Sequence, residues 1–108
     1  PIEATGQGTD PAMTTAQGKL KAARAAELDA MRKLAEQIYG LQIQSGTTVR
    51  DFVTQHDEIS TQVQAVLAGA VPGEPRFEAD TVVVTVSIQA ADVWRVVHSH
   101  MVIVQRKG

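Results

Sequence analysis

His98-Ser99-His100 is the first place in this chain where residue types and spacing could do chemistry. On a β-strand, residues two apart share a face, and the two imidazoles could hold one metal ion. On a helix they lie about 200° apart and cannot. His56 and Asp57 would complete such a site only if the fold brought them close. Histidines at a helix end, favoured there by the helix dipole, are the more ordinary reading. The acidic pairs Asp57-Glu58 and Glu78/Asp80 could act as general acid and base in a cleft, but no third group suggests a tuned carboxyl. A helix first turn and a strand-turn rim account for them. Gly6-Gln7-Gly8 lacks the third glycine of a phosphate-cradling loop and precedes a turn with proline, and no Gly-x-Ser-x-Gly elbow occurs. Trp94, beside Arg95, is the single tryptophan. With aromatics at 4%, a surface of interleaved stacking rings cannot be built, so Trp94 reads as a core or interface anchor. No catalytic residue, cofactor or metal is expected.

Those residues need elements to hold them, and the clearest element is the stretch 18–40. Leu20, Ala23, Ala26, Ala30, Leu34, Ile38 and Leu41 recur at steps of three and four, one face of a helix about 33 Å long. Thr14 or Thr15 suits its N-cap, and Gly40 its end in a left-handed conformation. Alanines on the buried stripe call for something laid close across the helix, most simply a β-sheet. Ile2, Ala4, Gly6 and Gly8 suit a short first strand, followed by a turn at Thr9-Asp10-Pro11.

Leu41, Ile43, Ser45, Thr47 and Val49 alternate with polar residues, the period of a half-buried strand that Gly46 would bend. Ile59, Val63, Val66, Leu67 and Ala70 then return to helical spacing, predicting a helix over 57–68 behind a Thr54 or Asp57 cap. Gly69 closes it, and Pro72-Gly73-Glu74-Pro75 should resist ladder pairing. The strongest strand signal covers 76–89, with Val82, Val84, Val86 and Ile88 on one face and Val83, Thr85, Ser87 and Gln89 on the other. A turn at Asp80-Thr81 joins it to a strand over 74–79. Asp92 would cap a further helix that buries Val93, Val96, Val97 and His100. Met101, Val102, Ile103 and Val104 form a short apolar, β-branched segment that could add to a neighbour's sheet edge. Together with Trp94 they are the candidate interaction residues.

These elements predict one α+β domain over 1–108, with a long helix and one or two shorter ones packed on a three- or four-stranded, mainly antiparallel sheet. A chain of 108 residues suffices for one core and not for two. Its 44% apolar and 20% charged content is that of a folded globule. A net charge of −2 speaks against a nucleic-acid partner, which needs a concentrated basic surface. No apolar run reaches the roughly 18 residues that would span a bilayer. The absence of cysteine excludes disulfides and thiolate chemistry in this stretch. A start at Pro1 without a signal segment is expected of a processed or truncated product.

The pattern Lys19-Leu-x-Ala-x-Arg-Ala-Ala-x-x-Asp-Ala-x-Arg-x-Leu-Ala-Glu-x-Ile-x-Gly40, with Thr47-Thr-Val-x-Asp51 and Gly69-Ala70, resembles a family. These are the small bacterial envelope lipoproteins named for a twenty-kilodalton surface antigen, which include the flagellar outer-membrane lipoprotein FlgP. The N-terminal domain of the flagellar protein FlgT is a related arrangement. The likeness covers residues 2–90, and 91–108 fit the pattern poorly. It implies a long helix against a small antiparallel sheet and a non-enzymatic scaffold of the Gram-negative periplasm, associated with the outer membrane. It further implies homo-oligomers, flagellar or envelope partners, and membrane contact only through a lipid anchor absent from this chain. The alternative from another class is a small-ligand, flavin-like binding module that uses the helix–sheet groove, with Trp94 as the stacking residue.

Overall fold

A computed structural model describes the backbone of residues 1–44 and 46–107 and the side chains of 1–43 and 46–99. Its elements run β1 (Ile2–Gly8), α1 (Ala16–Tyr39), β2 (Gln42–Gln44), β3 (Thr47–Thr48), α2 (Val49–Gln55), α3 (Asp57–Ala68), β4 (Val71–Pro72), β5 (Arg76–Glu78), β6 (Thr81–Ile88) and α4 (Ala90–Lys107). The fold is α+β, a long helix against a mainly antiparallel four-stranded sheet. Three further helices accompany α1 among the described residues, rather than one or two.

The centre of the sheet is β6. β1 runs antiparallel along its whole length, from Ile2 opposite Ile88 to Gly8 opposite Val82. The two short strands β4 and β5 share its other side, with Val71 opposite Ser87 and Arg76 opposite Val83. Ala4, Gly6 and Gly8 therefore lie on the same face as Val86, Val84 and Val82, and that face receives α1. The opposite face carries Thr5 and Thr85, whose hydroxyls meet at 3.0 Å. Val83 also belongs to that open face by alternation yet is buried, between its cross-strand neighbours Gln7 and Arg76.

The α1 stripe that is buried is Gly18, Ala22, Ala26, Ala30, Leu34 and Ile38, a strict four-residue repeat. Leu20, expected on the buried face, is exposed instead, and Ala23 and Leu41 are only half-buried. Close packing against β1 explains the choice of stripe. A methyl group on Gly6 would collide with the Ala26 carbonyl oxygen and the Ala30 amide, and one on Gly8 with the backbone of Ala22 and Ala26. Backbone meets backbone there, so the stripe with the smallest side chains turns inward and Leu20 is left outside. Thr15 caps the helix, its hydroxyl accepting from the Gly18 amide at 3.0 Å. Gly40 ends it at φ −85°, in the right-handed region rather than the expected left-handed one.

The expected strand through Leu41, Ile43, Ser45, Thr47 and Val49 is instead a hairpin that leads into a helix. β2 and β3 pair around a turn in which Gly46 takes φ +78°, and the chain then enters α2 at Val49. Thr48 and Asp51 form a capping box: the Asp51 amide donates to the Thr48 hydroxyl at 3.2 Å, and the Thr48 amide to the Asp51 carboxylate at 3.1 Å. Two orphan amides of the helix start are thereby satisfied, which outweighs the alternation of apolar residues. α3 covers 57–68 as the spacing predicts, but its N-cap is His56, without a side-chain cap, instead of Thr54 or Asp57. Val71 and Pro72 pair despite the prolines, and the Gly73 amide donates to the Thr85 carbonyl at 2.7 Å.

α4 begins at Ala90, so Asp92 sits in its first turn and not at its cap. Val93 and Val97 are buried and Val96 half-buried; the His100 side chain lies outside the described residues. The helix continues through Met101–Val104, so this segment is not a strand. Leu34, Ile38, Ile59, Val63, Val82, Val86, Val93 and Val97 belong to one core shared by α1, α3, α4 and the sheet.

Candidate interaction surface

Each residue with chemical potential now has an address. His98 and His100 stand two apart on a helix, α4, so its backbone does not give them the common face that a strand would. His56 marks the α2–α3 junction, its ring 4.7 Å from that of Phe52. Asp57 and Glu58 form the first turn of α3, where carboxylates favour the helix dipole. Glu78 pairs with Arg76 at 3.0 Å, and the Asp80 carbonyl accepts from the Thr9 hydroxyl at 2.8 Å. Gly6 and Gly8 are committed to the α1 contact and cradle nothing. Among the described residues, no group of three or more His, Cys, Asp or Glu side chains could hold a metal ion.

Trp94 is 37% exposed on the flank of α4. With Ile43 of β2, Val97 and His98 it lines a shallow cleft of about 330 Å³. This cleft lies between α4 and the β2–β3 hairpin, not between α1 and the sheet, where the contact is filled by backbone. The side chains of Met101, Val102, Ile103 and Val104 lie outside the described residues, and their helical backbone removes the expectation that they extend a neighbour's sheet.

Sheet edges are where chains of this class could join, and both are obstructed. On the β4–β5 side, the Gly73 amide points at β6, so its neighbour Pro72 faces outward and has no N–H to give. Pro75 interrupts the edge again before β5. On the β1 side, two α1 side chains occupy two of the outward backbone groups. The Gln7 amide donates to an Asp29 carboxylate oxygen at 3.0 Å, and the Gln37 side-chain amide donates to the Glu3 carbonyl at 2.9 Å. Asp29 is braced by Arg32 at 2.8 Å and Lys33 at 3.0 Å. The Gln7 N–H first, then Lys33 and Arg32, hold its carboxyl well below the usual carboxylate range.

Sequence reasoning missed Asp29 and Gln37. Nothing in the helix pattern says which polar residues will meet the outer side of a strand more than twenty positions earlier. The remaining surface has scattered apolar side chains, with Leu20, Leu28, Val71 and Phe77 exposed and Lys19 placed 5.9 Å over the Phe77 ring. No helix among the described residues is long and apolar enough to cross a membrane. No protein-family model, curated protein or solved structure matches this chain.

Proposed function

We propose that this chain is a non-enzymatic scaffold domain of the bacterial cell envelope, periplasmic and associated with the outer membrane, that assembles with copies of itself and with flagellar or other envelope proteins. The observation that carries the reading is the long helix whose Lys19–Gly40 pattern resembles the envelope lipoproteins, laid on a small antiparallel sheet as that resemblance implies. Exposed apolar side chains, Trp94 on α4 foremost, are the kind of anchors that an assembling surface uses. With both sheet edges obstructed, association falls to helical surfaces, and α4 is the candidate.

Light scattering and sedimentation over a wide concentration range test this on the full chain. Concentration-dependent oligomers are expected, weakened by Trp94→Ala and by removal of residues 101–108. A strict monomer at millimolar concentration would overturn self-assembly. Fractionation of cells producing the native protein should place it with the outer membrane, and recovery in the cytosol would overturn the envelope assignment.

A further inference from the structure

We propose that Asp29 and Gln37 are guard residues that keep the free edge of β1 from pairing with β1 of a second copy of this chain. β1 is the end strand of its sheet, paired to β6 on one side only. In an antiparallel ladder alternate residues turn their backbone groups outward, and here those are Glu3, Thr5 and Gln7. Such a row is a template for another strand. It is also self-complementary: two β1 strands related by a twofold axis at Thr5 would set Thr5 opposite Thr5, and Glu3 opposite Gln7, in one continuous sheet.

The guards fit this row by length. Glu3 and Gln7 are four residues apart on a strand, about 13 Å, and Gln37 and Asp29 are eight apart on a helix, about 12 Å. An antiparallel helix and strand in close contact thus bring one side-chain acceptor to the Gln7 N–H and one side-chain donor to the Glu3 C=O. The glycine contacts at Gly6 and Gly8 are what bring α1 near enough for short side chains to reach. An incoming strand must displace both hydrogen bonds. It would also meet Lys33, midway along the edge and held by Asp29. The inference is independent of the scaffold reading, since it concerns a surface where copies do not join.

The chain has no cysteine, so Thr5→Cys gives a single reporter at the twofold position. Opposed cysteines on antiparallel strands are close enough for a disulfide. Under mild oxidation, Thr5→Cys alone should stay monomeric by denaturing gel. Adding Asp29→Ala and Gln37→Ala should raise the cross-linked dimer at least several-fold. Asp29→Asn, which keeps an acceptor for Gln7 but loses the ion pairs, should behave as the guarded chain. Equal cross-linking with and without guards, or none in a guardless variant that circular dichroism shows to be folded, would overturn the proposal. A second reading uses the unmodified protein, whatever the variants' folding. The Gln7 amide should exchange with solvent at least tenfold more slowly than the Thr5 amide, and equal rates would overturn the proposal. The cross-link reads the β1 edge and the oligomer measurements read Trp94 and residues 101–108, so the two fail separately.

Discussion

Gly6 carries more of this fold than its size suggests. Its missing side chain lets β1 touch the backbone of α1 at Ala26 and Ala30, and the same proximity gives Asp29 and Gln37 their reach to the strand edge. Gly6→Ala or Ala30→Leu must push the two backbones apart, at a cost of about 1–3 kcal/mol for overpacking and more where backbone resists. Gly69→Ala is the matched control. Its added methyl would make only ordinary contacts, at 3.5 Å from the Val66 carbonyl oxygen, and its φ of −85° suits any residue. Urea unfolding should show Gly6→Ala strongly destabilised and Gly69→Ala within about 0.5 kcal/mol of the parent. Equal midpoints for the two would mean that β1 does not press on α1. The close approach was partly legible: alanines at 26 and 30 announced it, but only the observed register paired them with Gly6.

At the scale of elements, α2 is where local chemistry overrode pattern. Leu41, Ile43, Thr47 and Val49 alternate as a strand would, yet Thr48 and Asp51 close a capping box and the chain turns helical one residue later. The signal was present in the spacing of Thr48 and Asp51, with aspartate in place of the usual glutamate or glutamine at the third helical position. Thr48→Ala should cost about 0.5–2 kcal/mol, the range for loss of an N-cap, while Thr48→Ser should retain most of the stability. Thermal melts of the three chains check this, and a Thr48→Ala variant as stable as the parent would show the cap to be idle. α4 is the converse case. β-branched Val102, Ile103 and Val104 favour a strand intrinsically, but the helix already started at Ala90 continues through them. Propensity is a weak preference that a packed helix, anchored by Val93 and Val97, overrides.

For the whole molecule, the shared core has a consequence for unfolding. Val93 and Val97 on α4 sit in the same cluster as Leu34 of α1, Ile59 and Val63 of α3, and the valines of β6. No element with described core contacts has a core of its own, so a single cooperative transition is expected. Trp94 lies beside Val93 on α4 and reports locally, whereas far-ultraviolet circular dichroism reports the average helix. The two denaturation curves should coincide; an earlier Trp94 transition would show that α4 detaches before the rest melts.

Sequence periodicity alone determined the class of fold, the long helix ending before Gly40, the α3 span and the two faces of β6, because solvent sorts apolar from polar residues along each element. It could not determine which stripe of α1 turns inward, since both Leu20 and Ala22 satisfy the period and only contact with the glycines of β1 excludes the larger one. Nor could it reveal that Asp29 and Gln37 guard an edge, or that Trp94 and Ile43 line one cleft. Those facts join residues distant in the chain, and their geometry exists only once the helix has been laid against the strand.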